Sequence, residues 1–380
     1  MSANPLVAGV GLHPFGRWPD LTAGDMVRKA AGDALAAANV PFSDVEMVFC
    51  GRVQTASGGG FEVISELGMT GVPIFTTDVA CASSSAAFKQ ACMAILAGAA
   101  DVTLVVGYER MRKGVIAINE GTYKEAIGAG LMPPRYALKA RDYQTRYGAS
   151  ADAFAAVSVK AHRNGTLNPN AHHQKELTLE EVMGSRMIAE PLTLYQCCPT
   201  SDGAAALVVM SDSAARRYGS TTIRVLAAEM AAPSFADLQH NTETDADLHD
   251  ATTTRVAQKA YEVAGVGPGD VGVTQLHDAF TSGELSRIEA LGLCGEGEAA
   301  DLTLRGETAI NGRLPVNTDG GLLSRGHPLG ATGAAQIAEI YLQLLGDAGP
   351  RQIAEPPLIG LCQNAGGGAS MGVVVEIFSR

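Results

Sequence analysis

The sequence lacks a long apolar run, a leader-like N-terminus and any excess of positive charge. No apolar stretch approaches the roughly 20 residues that a membrane-spanning helix needs. The opening MSANPLVAGVGLHPFG does not show the basic, apolar and small-residue order of a secretory signal. The formal net charge is −12, from 28 basic and 40 acidic residues, which argues against a nucleic-acid-binding surface. We therefore expect a cytoplasmic protein without a membrane span or a nucleic-acid partner.

The sequence also lacks the cysteine spacing that would indicate disulfides or a structural metal site. It has 7 cysteines, an odd number, and no CxxC pair occurs among them. A disulfide framework and a metal site are therefore not expected, and the thiols should be reduced and available as nucleophiles. The cysteines are Cys50, Cys81, Cys92, Cys197, Cys198, Cys294 and Cys362.

Short apolar runs alternate with helical patterns over most of the 380 residues. This alternation predicts an α/β layered fold. Two parts of the chain share the order β-α-β-α-β-α-β-β, which predicts two similar halves. The first half consists of residues 1–112 and 186–217, and the second of residues 218–380. Residues 113–185 break the pattern. A segment of this length is either a solvated insertion or a loop subdomain that takes part in function.

The first candidate site lies in DVACASSSAAFKQACMAILAG, residues 78–98. A strand there gives way through small residues to a helix, and the serines could form its N-cap. Cys81 would lie near the helix N-terminus, where the partial positive charge favours a thiolate. Small neighbours would let a substrate reach its sulfur. The alternative is a packing cysteine, which is how we interpret Cys92 on the same helix.

His327 lies in a glycine-rich turn that leads into a long amphipathic helix, within NTDGGLLSRGHPLGATG. Its place in the second half corresponds to that of Cys81 in the first half. No Gly-Lys-Ser/Thr follows, which excludes a Walker phosphate loop. A neutral imidazole here could accept a thiol proton and then donate a hydrogen bond to a carbonyl oxygen. We interpret His327 as a catalytic residue.

Two further segments end strands in the second half. His277 follows an apolar strand in QLHDAFTSGEL, at the sheet edge where open α/β folds place their sites. The alternative is a structural pair with Asp278. Cys362 ends a strand in LIGLCQNAGGG, and the glycines after it could supply N–H groups to an oxyanion hole. Two cysteines and two histidines at strand ends form a set suited to thioester chemistry.

These segments resemble the thiolase superfamily over nearly the whole chain. The family motif C-[AS]-S-[SG] matches residues 81–84, and GHP-[LI]-G-[AS]-[ST]-G matches residues 326–333 without change. The third motif is NEAF in most thiolases and HDCF in the sterol-carrier-protein type, and it reads HDAF at residues 277–280. The chain is therefore most similar to that type and to acetyl-CoA acetyltransferases. The resemblance implies a five-layered αβαβα fold with an inserted loop subdomain.

The resemblance also implies a role for each residue. Cys81 would carry an acyl group as a thioester, and His327 would activate it and bind the thioester oxygen. His277 would hold the water or polar partner that completes this first oxyanion hole. Cys362 would be the acid and base at the α-carbon. CoA is implied as substrate and product, and no cofactor is implied to be covalently bound.

Two departures from the family pattern affect these assignments. The cysteine of HDCF is replaced by alanine, so Cys362 would have to supply the second thiol. The usual Cys-x-Gly reads Cys-Gln-Asn, which leaves one donor of the second oxyanion hole open. Beside the N–H of Cys81, we expect that of Gly366 or Gly367. Asn364 could instead polarise the substrate.

The predicted reaction is a two-step acyl transfer that cleaves a 3-ketoacyl-CoA or, in reverse, condenses two acyl-CoA molecules. One alternative is a steroid side-chain aldolase or another condensing enzyme on the same fold. Another is a non-catalytic scaffold that serves a partner protein. The resemblance further implies a homodimer or homotetramer. Some relatives bind a small zinc-containing OB-fold protein, so such a partner is among the expectations.

Overall fold

The computed structural model describes residues 4–54, 58–112, 114, 131–240, 245–367 and 371–380. The elements of the first half up to the insertion are β1 (Pro5–Gly16), α1 (Ala23–Ala37), β2 (Met47–Gly51), α2 (Gly59–Ser65), β3 (Ile74–Thr77), α3 (Ser83–Leu96) and β4 (Val102–Glu109). Helix α1 lies directly on β1, because Gly9 and Gly11 have no side chain. A Cβ at either glycine would come within 2.2 Å of a helix carbonyl oxygen.

The inserted segment and the end of the first half follow in the chain. Their elements are α4 (Met132–Tyr147), α5 (Ala151–Thr166), α6 (Leu179–Met183), β5 (Met187–Ala189), β6 (Leu192–Thr193), β7 (Asp202–Ser211) and α7 (Asp212–Tyr218). The apolar spacing of the sequence predicts a helix only from Arg141 onwards. Helix α4 nevertheless begins at Met132, because the two prolines that follow Met132 fit the first turn of a helix. Residues 113 and 115–130 of the expected subdomain lie outside the described residues.

The insertion packs on the second half of the chain. Tyr143 of α4 and Phe154 of α5 belong to the hydrophobic cluster that also contains Leu285 and Ile288 of the second half. The insertion therefore shares a core with that half over the described residues. The division at residues 112, 185 and 217 stays a prediction.

The second half repeats the alternation of strands and helices. Its elements are β8 (Ile223–Ala231), α8 (Phe235–His240), α9 (Asp245–Ala264), β9 (Val273–Gln275), α10 (Thr281–Ala290), α11 (Ala299–Leu304), α12 (Gly321–Ser324), α13 (Thr332–Leu345), β10 (Ile359–Ala365) and β11 (Val373–Ser379). Across the described part of the chain, no helix combines the length and apolar character needed to cross a membrane.

Nine strands form one sheet in the order β3-β2-β4-β7-β1-β8-β11-β10-β9, and β5 pairs with β6 in a separate two-stranded sheet. In the first half, β2 runs parallel to β3 and β4, and β7 runs antiparallel to β4 and β1. In the second half, β9 runs parallel to β10, and β11 runs antiparallel to β10 and β8. The counterpart of β3 is a single parallel bridge between Thr274 and Val316. The repeated order and directions confirm the prediction of two similar halves.

Hydrophobic clusters divide the protein into five layers. One cluster joins α1 and α2 to the sheet of the first half. A second joins α9 and α10 to the outer face of the other half-sheet. The third, which we call the central cluster, packs α3 and α13 between the two half-sheets. The αβαβα arrangement is therefore confirmed. Large members of the central cluster are Phe88, Ile95, Ile337, Ile340 and Phe378.

The N-terminal ends of α3 and α13 touch in the central layer. The N–H of Ala334 donates to Oγ of Ser84 over 3.0 Å. A Cβ on Gly333 would lie 2.2 Å from Oγ of Ser85 and 2.7 Å from its backbone nitrogen. Since both distances are shorter than real Cβ contacts, this approach requires a glycine at position 333.

We predict that Gly333→Ala destabilises the protein. The added methyl group must push α3 and α13 apart, which for an overpacked core costs about 1–3 kcal/mol of unfolding free energy. Urea denaturation measures this loss. The matched control is Gly32→Ala in α1, where a Cβ meets no atom within 4 Å. That change should be neutral or stabilising, and equal effects of the two substitutions would contradict the prediction.

Candidate active site

Cys81 lies on a tight turn between β3 and α3. Ala80 has a φ of 47°, in the left-handed region that disfavours residues with a Cβ. Ser83 closes the turn, because its Oγ donates to the carbonyl of Ala80 over 2.6 Å and accepts from the N–H of Val79 over 2.9 Å. The expectation of a serine N-cap is wrong, since the cap residue is Ala82. Ser83 instead holds the turn that presents the cysteine.

Cys81, His277 and His327 come together from three segments of the chain. One sulfur or nitrogen atom of each lies within 4.8 Å of those of the other two. The two imidazole centroids are 5.1 Å apart, and their rings are inclined at 83°. Both histidines are buried, whereas Cys81 is partly exposed as a residue. A thiol and two imidazoles are also ligands that zinc accepts, so the group could hold a soft metal ion.

Hydrogen bonds determine which nitrogen of His327 carries the proton. Thr332 donates its hydroxyl to the carbonyl of Pro328 over 3.0 Å, so its oxygen accepts from Nδ1–H of His327 over 2.7 Å. The lone pair is then on Nε2, which has no hydrogen-bond partner among the described residues. Burial, with a smaller effect of Arg325, lowers the pKa of His327 to about 3. His327 is therefore a neutral base at neutral pH.

Asn364 links His277 to the backbone of Cys81. Its Oδ1 accepts from Nδ1 of His277 over 2.7 Å and from the N–H of Ala365 over 2.9 Å. Its Nδ2 donates to the carbonyl of Cys81 over 3.1 Å. Because Oδ1 can only accept, Nδ1 of His277 carries a proton, and in the neutral ring Nε2 is then an acceptor. Asn364 therefore orients the ring and the nucleophile turn together.

Burial outweighs the helix N-terminus in setting the protonation state of Cys81. Desolvation raises the pKa of its thiol to about 12, against smaller lowering effects of the N–H groups of Cys81 and Gly367. These N–H groups favour the thiolate, as expected, but burial has the larger effect. In the resting site, Cys81 is a thiol and His327 is a neutral imidazole.

The two glycines considered for the second oxyanion hole differ in what their N–H groups contact. The N–H of Gly366 donates to the carbonyl of Gly372 over 2.8 Å. A Cβ on Gly366 would lie 2.1 Å from the carbonyl oxygen of Val79, so this glycine fits the loop against the nucleophile turn. The N–H of Gly367 interacts with the sulfur of Cys81. The geometry favours Gly367 over Gly366 as the second donor.

Cys362 does not join the group formed by the other three residues. It is fully buried in the central cluster, beside residues such as Phe88 and Phe378. Burial, reinforced by the nearby Glu376, raises the pKa of its thiol well above the ordinary value. Its expected position at the site is therefore wrong. Asn364, two residues further along β10, reaches the site instead.

Two buried polar residues support the site and were not identified from the sequence. The carboxylate of Glu109 accepts from the N–H groups of Val53 and Gln54, both over 3.0 Å, and of Gly330 over 3.3 Å. Desolvation raises the pKa of Glu109 to about 7. Ser201 accepts from the backbone N–H of His327 over 3.3 Å. These contacts join distant segments, so no local pattern indicates them.

Comparisons with known proteins agree with this architecture. The family model "Thiolase, N-terminal domain" matches residues 7–213, and "Thiolase C-terminal domain-like" matches residues 236–380. The chain is 36% identical over 386 residues to an acetyl-CoA acetyltransferase of Methanothermobacter thermautotrophicus, covering 98% of this chain and 99% of that protein. It is 36% identical over 395 residues to sterol carrier protein 2 of Homo sapiens, covering 98% of this chain and 71% of that protein.

Solved structures include a similar fold in a two-protein assembly. The complex described as "Ltp2-ChsH2(DUF35) aldolase" matches with a TM-score of 0.82 and 27% identity, covering 98% of this chain and 97% of that chain. Together, the two family models span nearly the whole chain and correspond to its two halves. The chain therefore belongs to the thiolase family of acyltransferases.

Proposed function

We propose that the protein transfers acyl groups between CoA thioesters through a thioester on Cys81. The substrate in the degradative direction is a 3-ketoacyl-CoA, and the reverse reaction condenses two acyl-CoA molecules. The observation that carries this proposal is the group of one thiol and two imidazoles, with one sulfur or nitrogen atom of each within 4.8 Å of those of the others. This group provides a nucleophile together with a base, as covalent catalysis requires.

His327 is the residue placed to take the thiol proton. Its Nε2 has a free lone pair and the ring is neutral at neutral pH. When the sulfur attacks the substrate carbonyl, the proton passes to Nε2, and the resulting N–H can donate to the thioester oxygen. The low pKa of His327 and the high pKa of Cys81 oppose transfer before substrate binds. Proton transfer is therefore coupled to attack.

His277 contributes to the same oxyanion hole in a different way. Its Nδ1 proton is donated to Asn364, so in the neutral ring Nε2 can accept a hydrogen bond and cannot donate one. A water molecule that donates to this nitrogen could use its other hydrogen for the substrate oxygen. The N–H groups of Cys81 and Gly367, which interact with the sulfur, are placed to stabilise charge during formation and cleavage of the thioester.

An aldolase is the second candidate function, because the structural match at 27% identity is described as an aldolase complex with a DUF35 protein. Retro-aldol cleavage requires a base for a hydroxyl group but no thiol nucleophile. Acyl transfer therefore requires Cys81, whereas retro-aldol cleavage does not, and this difference distinguishes the two reactions. The same match supports the proposal of a partner protein. The resemblance to the family implies that this partner is a small zinc-containing OB-fold protein. A non-catalytic scaffold would catalyse neither reaction.

Three further features remain proposals. CoA is the proposed carrier of the acyl group, in keeping with the chemistry of the family. A homodimer or homotetramer and a cytoplasmic location are proposed from the resemblance to thiolases and from the composition of the chain. Gel filtration with light scattering measures the oligomeric state directly.

Cys81→Ala should abolish acyl-enzyme formation. Incubation of the wild type with acetoacetyl-CoA is expected to give turnover and an adduct of about 42 Da, detected by intact-mass spectrometry. The control is Cys92→Ala, which removes a buried thiol from the same helix and should keep the adduct. No adduct in the wild type with short, long or steroid-derived acyl-CoA would contradict the proposed function. Retro-aldol activity that survives Cys81→Ala would favour the aldolase.

The alkylation rate of Cys81 should rise steadily with pH. Burial raises the pKa of this thiol to about 12, so the thiolate fraction at pH 7 is small. Because iodoacetamide reacts with the thiolate, its rate constant should grow about tenfold per pH unit between roughly pH 7 and 10. Peptide mass mapping follows the modification. A plateau beginning below roughly pH 8.5 would instead indicate a preformed thiolate–imidazolium pair.

Asn364→Ala should slow turnover by about 100-fold, because misplaced catalytic groups commonly lose this much rate. The variant frees His277 and removes the bond to the carbonyl of Cys81. Asn364→Asp is the matched comparison, since a carboxylate can still accept from Nδ1 of His277 but cannot donate to Cys81. Steady-state kinetics should rank wild type above Asn364→Asp and this above Asn364→Ala. Equal rates in all three would show that Asn364 does not position the site.

A further inference from the structure

The proposed reaction leaves one role without a residue. Cleavage of the bond at the α-carbon needs an acid for that carbon, and the reverse condensation needs a base. Cys362, expected in this role, lies in the central cluster. Ala279 occupies the position where the HDCF motif has its cysteine. If the proposed function holds, another group must exchange this proton.

Cys198 lies directly opposite Ala279. Its backbone N–H donates to the carbonyl of Ala279 over 2.9 Å. The neighbouring Cys197 forms an antiparallel bridge with Phe280, so the two segments run side by side here. A residue from a distant part of the chain therefore brings a thiol next to the position that lacks one.

The same segment is attached to the second histidine motif immediately afterwards. Thr200 forms a parallel bridge with His327, and the N–H of His327 donates to Oγ of Ser201 over 3.3 Å. Cys198 is thus held on one side by the HDAF segment and on the other by the GHP loop. Its position between the two motifs is fixed by backbone contacts.

The thiol of Cys198 is close enough to Cys81 to respond to its charge. Burial raises the pKa of Cys198 well above the ordinary value, and negative charge on Cys197, Cys81 and Asp278 raises it further. Cys198 and Cys81 are both partly exposed as residues, while His277 is buried. Both cysteines are therefore partly exposed at the site, while burial of their sulfur atoms keeps the two thiols protonated.

Cys197 and Cys362 provide contrasts within the same protein. The Cys197 thiol donates to the carbonyl of Thr193 over 3.3 Å, within its own segment. Cys362 is enclosed among apolar side chains. Asp278 is another titratable group nearby, but its Oδ1 accepts from the N–H of Leu322 over 2.8 Å, which turns the carboxyl group towards α12.

We propose that the thiol of Cys198 is the acid and base at the α-carbon of the substrate. This proposal rests on the proposed acyl transfer, and it assigns the second thiol to a segment outside the three motifs of the catalytic group. The substrate class that needs it is a 3-ketoacyl-CoA or, in reverse, a pair of acyl-CoA molecules.

The protons balance over the two steps. In the first, the sulfur of Cys81 bonds to the ketone carbon while His327 takes its proton. The bond to the α-carbon then breaks, and Cys198 gives its proton to the carbon that holds the electron pair. In the second, the thiol of CoA attacks the acyl-enzyme and its proton goes to the Cys198 thiolate. The released Cys81 sulfur recovers its proton from His327, so the enzyme returns to its starting state.

Cys198→Ala separates this role from that of the nucleophile. The variant should lose at least about 100-fold in the turnover of acetoacetyl-CoA, within the range expected for a lost acid–base group. It should still form the adduct of about 42 Da on Cys81 from acetyl-CoA, because CoA can leave as a thiolate and this half-reaction moves no proton at carbon. It should also lose exchange of the acetyl-CoA methyl protons with D2O, measured by NMR.

Cys197→Ala and Cys362→Ala are the matched controls, since each also removes one thiol. Cys197 is the neighbour of Cys198 in the chain, and Cys362 lies on β10, the strand that carries Asn364. Both should keep turnover and proton exchange to within a few-fold. Cys198→Ser preserves the size of the side chain and should behave as Cys198→Ala, which tests for a packing effect. Melting temperatures of all four variants confirm that they are folded.

Rescue provides the decisive result. In the double variant Cys198→Ala with Ala279→Cys, a thiol returns from the opposite residue, and turnover should recover at least about tenfold over Cys198→Ala. Full turnover by Cys198→Ala would overturn the assignment while leaving acyl transfer through Cys81 intact. Loss of turnover in Cys362→Ala alone would overturn it in favour of Cys362. Absence of the adduct in the wild type would overturn the proposed function and this assignment together.

Discussion

The close contact between the N-terminal ends of α3 and α13 is the constraint on which the site depends. Cys81 precedes α3 by two residues and His327 precedes α13 by five, so the separation of the two helices sets the separation of sulfur and imidazole. The contact is possible because Gly333 has no side chain against Ser85. Ser84 adds a hydrogen bond across the same contact. Small residues in the central layer thus have a geometric function in catalysis.

Low polarity in the centre of the protein determines the charges of the catalytic group. The same desolvation raises the pKa of Cys81 and lowers that of His327, so both are neutral at rest. Hydrogen bonds from the imidazole Nδ1–H groups to the oxygens of Thr332 and Asn364 then select the proton position on each ring. The site is therefore prepared by orientation, and charge develops only when a substrate carbonyl can receive it.

Motif residues and fold were predictable because they depend on local sequence. The strand–turn–helix pattern located Cys81 and His327, and the repeated order of elements gave the layered halves. Cys362 was misplaced because the prediction did not fix how far β10 extends. Successive residues on one face of a strand are about 6.6 Å apart, so Asn364 reaches the site and Cys362 stays in the core. The position of Cys198 depends on the bridges that its neighbours Cys197 and Thr200 form with Phe280 and His327. These bridges join distant segments, so no local sequence pattern predicts them.

The two half-sheets meet at strands β1 and β8, and each half contributes different catalytic groups. Within the residues that the structure describes, strands β1 and β8 pair through two residue pairs, Leu6 with Arg224 and Val7 with Ile223. The first half supplies the nucleophile, while both histidines come from the second half, so neither repeat contains a working site. Each repeat therefore supplies part of a site that works only while the central helices of the two halves keep their relative position. A displacement of one half along that contact would leave both repeats folded and the chemistry absent.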